Sequence, residues 1–200
     1  KIGVNPFKFG ISASTDTHNA IGGAVSEDNF PGHLGKSDAE ITDRLSLESG
    51  KTGGISTNPG GLIGVWAKEN TRDEIFDAMQ RREVFGTSGP RMKVRLFGSW
   101  DFEEKLCSNP DNLTIAYATG VPMGQDMPSK TGNTPNFLVQ AQADSGGLDL
   151  APGNHLQRVQ IIKGWIVDDG NHHQKVYDVA GNADNDASVN IDTCEPTGTG

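Results

Sequence analysis

Residues 62–97, LIGVWAKENTRDEIFDAMQRREVFGTSGPRMKVRLF, contain the clearest secondary-structure signals of the chain. Residues 71–74 (TRDE) have the form of a capping box, in which the Thr71 hydroxyl accepts from the third backbone N–H and Glu74 reaches back. Apolar residues follow at helical spacing, with acidic residues before them and basic residues after them, as the helix dipole favours. The pattern predicts a helix that ends near Glu83, preceded by a strand or loop over 62–67 and followed by an extended segment from Val84.

Strand signals dominate the rest of the chain. Residues 8–14 (KFGISAS) are short and apolar, which predicts a buried strand, and residues 92–97 alternate apolar and charged side chains. The turn sequence DDGN at 168–171 predicts a hairpin. Further strands are predicted at 113–118, 136–143, 156–167 and 174–180. The fold class expected is mixed α/β, with strand-and-helix structure up to residue 90 and a β-rich, sandwich-like domain over 91–200.

Composition excludes two classes of partner. The 200 residues include 17 Lys and Arg against 26 Asp and Glu, a net charge of −9, and the cations are not clustered. Nucleic-acid binding needs clustered cations, so we expect no nucleic-acid partner. No apolar run approaches the roughly 18 residues of a membrane span, so we expect none.

The sharpest chemical feature is the run STDTH at 14–18, directly after the predicted strand 8–14. Residues two apart on an extended chain share a face, so Asp16 and His18 are expected to point into one cavity. A carboxylate and an imidazole are suitable ligands for Zn²⁺, Mn²⁺ or Fe²⁺. The alternative is that Asp16 caps a turn and His18 lies in a polar loop.

A Gly-rich segment over 21–61 comes next, with little periodic order except a predicted short helix within 38–46. A loop of this length inside a compact domain is usually either a functional lid or a sign that an element within it has been missed. His33 lies in this segment and could reach a metal or substrate, although a solvated loop histidine is the favoured interpretation.

A second candidate site is the turn TSGPR at 87–91. The Ser88 hydroxyl, the backbone N–H groups and the Arg91 guanidinium could hold an anionic group, since Arg suits bidentate contact with carboxylate or phosphate. The other interpretation is a tight Gly-Pro turn into the next strand, with Arg91 paired to a nearby acid.

Several blocks of the sequence together are similar to an uncharacterised bacterial family related to the PHP (polymerase and histidinol phosphatase) metal-dependent hydrolases. They occur in family order over most of the chain: NPFKFG at 5–10, STDTHNA at 14–20, NPGGL at 58–62, RREVFGTSGPR at 81–91, GVPMG at 120–124 and QRVQIIKGW at 157–165.

The resemblance implies that residues 1–90 are the C-terminal part of a PHP-like barrel with a Gly-rich insertion at 21–61, and that Asp16 and His18 are metal ligands. PHP sites take further ligands from preceding barrel strands, so the chain is expected to be the C-terminal part of a longer hydrolase. Alone it should have at most weak metal affinity and no activity. The implied reaction is metal-assisted hydrolysis of a small anionic substrate or ester, with Arg91 as a substrate clamp. The implied location is the bacterial periplasm.

The competing hypothesis is a non-enzymatic binding or structural module whose β-rich domain binds a partner or a saccharide. Trp100 and Trp165 would then form an aromatic platform, although core positions are favoured for both. Cys107 and Cys194 permit one disulfide or none. The oligomeric state stays open.

Overall fold

The computed structural model describes residues 7–20, 30–34, 38–44, 61–129, 132, 134–146, 153–167, 170–182, 184, 186–193 and 195–198. Its contacts define two compact units, Lys1–Gln142 and Ala143–Gly200. In the described residues helices are few and every strand pairing is antiparallel, so the fold is mixed and β-rich. None of the described helices has the length and apolar character needed to cross a membrane.

The elements of the first unit are, in order, α1 (Ile41–Arg44), β1 (Ile63–Val65), α2 (Arg72–Gln80), β2 (Val84–Gly86), β3 (Lys93–Ser99), α3 (Asn112–Thr119), β4 (Val121–Pro122) and β5 (Asn136–Gln142). Strands β1 and β2 pair with each other, and β3 lies between β4 and β5. The second unit contains β6 (Arg158–Ile166) paired with β7 (His172–Gly181), and β8 (Ser188–Val189) paired with β9 (Pro196–Thr197).

Helix α2 confirms the predicted Thr71 cap, although Glu74 Oε2 is buried and accepts no hydrogen bond in the described part of the chain, and the helix ends earlier than expected. The Thr71 hydroxyl accepts from the Glu74 amide at 3.4 Å. At the other end Arg82 adopts the left-handed conformation, with a φ of 60°. The Glu83 amide donates to the Ala78 carbonyl at 3.0 Å, and the Arg82 amide donates to the Met79 carbonyl at 3.0 Å. These are the two bonds of a Schellman motif, which ends the helix before Glu83.

The core of the first unit lies between the β4-β3-β5 sheet and α3. Phe97 is fully buried and pairs across the sheet with Leu138. Strands β3 and β5 confirm the predictions at 92–97 and 136–143. The buried cluster consists of Phe97, Phe102, Leu106, Ala116 and Leu138.

The sequence pattern predicts a strand over 113–118, and this prediction is wrong, because these residues lie in α3. Short apolar runs do not distinguish strand from helix by period alone. The preceding residues, NPDN at 109–112, are typical of a helix start. A helix at this position places Ala116 in the core, where its small side chain allows close packing on the sheet.

The buried strand expected at 8–14 is also absent: no strand is assigned to these described residues, and nearly all of them are exposed. A strand requires a backbone ladder, and the neighbouring β2 forms its ladder with β1. The barrel expected over 1–90 has no parallel strand pair among the described residues.

The predicted domain boundary near residue 91 is not where the contacts divide the chain. Strand β3 pairs with β4 and β5, and the Trp66 indole donates to the Val94 carbonyl at 2.9 Å. Residues on both sides of position 91 therefore belong to one unit, which extends to Gln142.

The second unit confirms the predicted hairpin. Strands β6 and β7 pair from Arg158↔Gly181 to Ile166↔His172, with a bulge after Val159. The turn residues 168 and 169 lie outside the described residues. All of β7 is exposed, so no second sheet covers it in the described part of this unit, in contrast to the sandwich-like arrangement expected. Cys107 is exposed and unpaired, whereas Cys194 lies outside the described residues.

A buried carboxylate connects α3 to the end of α2. The Tyr117 hydroxyl donates to Glu83 at 2.5 Å, and Arg81 lies 3.5 Å from the other oxygen of Glu83. The Tyr117 ring also packs edge-on against Phe97, with centroids 4.8 Å apart. Burial, together with the hydrogen bond to Glu83, raises the pKa of Tyr117 to about 12.

We predict that this pair makes stability depend on pH above 10. A phenol whose pKa is raised from 10.0 to about 12 on folding contributes stability that is complete below pH 10 and is lost as pH rises to 12. In urea unfolding at pH 8, Tyr117→Phe should lower the free energy of unfolding by about 1 kcal/mol. The buried Glu83 carboxylate then loses the hydrogen bond donated by this half-exposed tyrosine.

The same variant should flatten the decline in unfolding free energy between about pH 10 and 12, the interval set by the raised pKa of Tyr117. Tyr177→Phe is the matched control, because Tyr177 lies exposed on β7. An unchanged decline in Tyr117→Phe would contradict the assignment.

Candidate functional site

Asp16, His18 and His33 converge at one place in the first unit. The Nε2 atom of His18 lies 3.5 Å from one oxygen of Asp16, and the Nε2 atom of His33 lies 3.4 Å from the other. One ligand atom from each of the three residues lies within 4.8 Å of the others. The imidazole rings meet edge to face, with centroids 5.0 Å apart.

Asp16 reaches both histidines from a left-handed backbone conformation, with φ of 56°. Asp adopts this region more readily than most residues, because its short side chain can hydrogen-bond locally. The expected convergence of Asp16 and His18 therefore occurs through a turn rather than through the alternation of an extended strand. Backbone outliers of this kind concentrate at functional sites.

Backbone and side-chain hydrogen bonds join the two segments that carry these residues. The His18 amide donates to the His33 carbonyl at 2.8 Å. The Asn19 side-chain amide donates to the Gly32 carbonyl at 2.9 Å. Gly32 has a φ of 93°, a conformation that side chains disfavour, and it turns the chain into His33.

The carboxylate of Asp38 holds the loop that carries His33. Asp38 is fully buried, and its two oxygens accept from the backbone amides of His33 at 2.8 Å and Leu34 at 3.2 Å. A buried carboxylate needs such donors to offset its desolvation. Asp38 therefore acts as a positioning residue, since it fixes the backbone from which His33 reaches Asp16.

Glycines allow residues 13 and 14 to lie close to the paired strands β1 and β2. A Cβ at Gly61 would overlap the Ser14 carbonyl oxygen, and one at Gly86 would lie 2.9 Å from the Cβ of Ala13. Any side chain at Gly61 would push the backbone before Asp16 away from strands β1 and β2.

The same segment is anchored further upstream by Lys8. Its ammonium group donates to Asp126 at 2.6 Å, and its carbonyl accepts from Arg82 at 2.9 Å. The Lys8 hydrogen bond and charge hold the pKa of Asp126 below its usual value.

The donor set fits a divalent transition metal. Two imidazoles and one carboxylate are a common set for catalytic Zn²⁺ and for Fe²⁺, and such sites keep a position open for water or substrate. Tetrahedral ligands about 2.1 Å from a metal lie about 3.4 Å apart. Each imidazole lies at this spacing from a different oxygen of Asp16, at 3.5 and 3.4 Å, whereas one ligand atom from each of the three residues lies within 4.8 Å of the others. The Asp16 side chain is 82% exposed, so the cluster is open to solvent.

One outer contact of such a site is missing from the described residues. Metal-bound histidines usually donate their second N–H to an acceptor. His33 is only 15% exposed, and its Nδ1 atom is buried without a hydrogen-bond partner in the described part of the chain. The cluster therefore fits a metal in the identity and number of its donors, but its ligand atoms would have to move closer together, and this outer contact is absent from the described residues.

Arg91 and Ser88 lie in a separate turn. A guanidinium nitrogen of Arg91 donates to the Gly89 carbonyl at 3.2 Å, and Ser88 is exposed. The neighbouring Thr87 is bound to Leu62 through its amide at 2.8 Å. The contact with Gly89 lies within the turn itself, and both the pairing of Arg91 with an acid and its role as a substrate clamp stay predictions.

The sequence pattern favours a solvated loop for His33, whereas its side chain is mostly buried and faces Asp16. The role of Asp38 in holding that loop has no counterpart among the sequence predictions. The available signal is the PGH run at 31–33 inside a long Gly-rich segment, because functional residues concentrate on loops. His33 is fifteen positions from His18, and no local period connects them.

A family model described as "Protein of unknown function (DUF3604)" matches residues 1–199. No curated protein and no solved structure matches the chain.

We predict that the 200-residue chain binds one Zn²⁺ per molecule through the three converging residues. After treatment with EDTA and dialysis, calorimetric titration should show one site in the wild type. Asp16→Asn, His18→Ala and His33→Gln should each weaken binding about tenfold or more, because each removes one of three ligands.

His155→Ala is the control, since it removes a histidine of the second unit. Circular dichroism of every variant checks that the fold is retained. Wild-type affinity in His33→Gln would show that His33 is not a ligand.

Proposed function

The chain belongs to the DUF3604 family, whose function is unknown, and we propose that it is part of a metal-dependent hydrolase whose metal is held by Asp16, His18 and His33. The observation that carries the proposal is the convergence of these residues from two separate segments. Two histidines and one carboxylate also form the protein ligand set of catalytic zinc in known hydrolases.

The chain's own residues have distinct parts in this proposal. Asp16 and the two imidazoles would hold the metal, while Asp38 keeps His33 in place through its backbone amide. When bound, a divalent metal supplies a Lewis acid that activates water and polarises the bond to be cleaved. The exposure of Asp16 leaves access for substrate on one side.

Charge supports a class of substrate. Two neutral imidazoles and one carboxylate leave a divalent ion with a net charge of +1, which favours anionic or ester groups over cations. We therefore propose a phosphoester, carboxylic ester or lactone as the substrate class. Arg91 and Ser88 stay proposed as the group that holds an anionic end of the substrate. A periplasmic location is proposed with this function.

The test uses the natural full-length protein that contains this chain, loaded with Zn²⁺ or Mn²⁺. We expect hydrolysis of at least one of 4-nitrophenyl phosphate, 4-nitrophenyl acetate and a γ-lactone. Asp16→Asn and His33→Gln should lower kcat/KM by about a hundredfold or more, since they remove metal ligands. The isolated 200-residue chain should bind metal without this activity.

His155→Ala should keep wild-type kinetics. The hydrolase proposal would be refuted if the metal-loaded full-length protein turned over none of the three substrates. Full activity in Asp16→Asn would also refute it.

A second candidate function is saccharide binding by the second unit. The side chains on one face of the β6–β7 hairpin support it. Trp165 pairs with His173 across the hairpin, and their rings stack with centroids 5.4 Å apart. The Lys163 ammonium lies 5.0 Å from the Trp165 ring, and the Lys175 ammonium lies 4.8 Å from the ring of Tyr177. Exposed aromatic faces stack on sugar rings, and the two lysines favour an acidic saccharide.

For this candidate, affinity electrophoresis with alginate, a polyuronate, should retard the chain, whereas neutral dextran should not. Trp165→Ala should weaken binding about tenfold, as expected for loss of an aromatic stacking surface. Ile166→Ala is the matched control, because Ile166 is exposed on the opposite face of the same strand. Equal retardation of Trp165→Ala and the wild type by alginate would exclude this face as the binding site. Equal retardation of the wild type by dextran and alginate would exclude a preference for acidic saccharides.

A further inference from the structure

A cavity of about 570 Å³ lies in the first unit, within the size range of small-molecule sites. Its lining includes apolar, cationic and amide side chains: Trp66, Leu113, Lys93, Arg95, Gln140 and Gln142. None of these residues belongs to the cluster around Asp16. The cavity is therefore lined by residues that the proposed hydrolase does not use.

The strand register explains why this cavity adjoins the core. Residues two apart share a face, so Lys93 and Arg95 lie on the same face of β3 as Phe97. Across the sheet they pair with Gln142 and Gln140, as Phe97 pairs with Leu138. Helix α3 covers the Phe97 end. At the Lys93 end the same face changes from apolar to cationic and remains open.

Arg95 is held in position by aromatic stacking. Its guanidinium carbon lies 3.6 Å from the centroid of Trp66 and 5.7 Å from that of Tyr117. The Trp66 indole is itself fixed by its hydrogen bond to the Val94 carbonyl. A stacked guanidinium keeps its donors in one plane, which suits an oxyanion.

The cations of this cavity lack the usual partners. Within the described residues neither Lys93 nor Arg95 forms an ion pair with a carboxylate. The Nε atom of Arg95 is buried and has no hydrogen-bond partner in the same part of the chain. A buried donor without an acceptor is costly, and an oxyanion in the cavity would supply one.

We propose that this cavity binds a small organic anion, in which one oxyanion group is attached to a flat apolar body. The oxyanion contacts Lys93 and Arg95, while the apolar body lies against Trp66 and Leu113. Gln140 is less available to bind the oxyanion, because its side-chain amide already donates to the Asn112 side-chain oxygen at 3.0 Å. A phosphate monoester and a carboxylate share this chemistry, and the experiment distinguishes them.

Calorimetry with the full 200-residue chain in EDTA tests the proposal, because the chelator removes metal from the cluster at Asp16. We expect phenyl phosphate or benzoate to bind one to one with a Kd of about 1 mM or lower. Inorganic phosphate should bind about tenfold more weakly, since it lacks the apolar body, and so should phenol, since it lacks the charge. The tighter of the two organic anions identifies the oxyanion group.

Lys93→Gln should weaken binding of the tighter anion about fivefold to tenfold, as expected for loss of a charge-assisted contact. Lys93 is exposed, so this variant should fold normally. Arg95→Lys keeps the charge but removes the stacked plane, and should also weaken binding. Lys105→Gln makes the same charge change at an exposed position outside the cavity lining and should have wild-type affinity.

Any one of three results would overturn the proposal. The first is that neither organic anion binds saturably up to about 10 mM. The others are equal affinity for phenol and phenyl phosphate, and wild-type affinity in Lys93→Gln.

Discussion

The candidate site depends on the buried carboxylate of Asp38. Its two oxygens accept the backbone amides of His33 and Leu34, and thereby determine where the imidazole of His33 lies. The carbonyl of His33 in turn accepts the amide of His18, so both histidines belong to one hydrogen-bonded unit. A buried carboxylate has few alternatives to such donors, because leaving it unpaired costs roughly several kcal/mol. The geometry around Asp16 therefore depends on a residue that contacts the backbone of His33 without offering a ligand atom to the cluster.

Close backbone approach is the second constraint on this part of the chain. The segment before Asp16 lies against Gly61 and Gly86 without forming a regular strand. Positions that lack a Cβ permit this contact, and the left-handed conformation of Asp16 then turns its carboxylate toward the histidines. The convergence of Asp16, His18 and His33 thus arises from irregular backbone beside the paired strands β1 and β2, whereas the sequence pattern predicts a strand end.

The distribution of charge differs from what the net value of −9 suggests. Two pairs of cations lie on strand faces beside aromatic rings: Lys93 and Arg95 in the first unit, and Lys163 and Lys175 in the second. Each pair is small, so the expectation that the chain lacks a nucleic-acid surface is not affected. A local positive site can nevertheless select a small anion, since screening limits the influence of distant acids to about 10 Å.

Local signals in the sequence determined α2 with its Thr71 cap, the strands β3 and β5 and the β6–β7 hairpin. Each of these depends on neighbours within a few positions, through capping, period-two alternation or turn chemistry. Tertiary structure alone decided that residues 113–118 are helical, that 8–14 form no strand and that His33 joins the cluster. These outcomes depend on packing against the Phe97 core, on ladder partners and on a buried carboxylate, all of which bring together residues that are distant in the sequence.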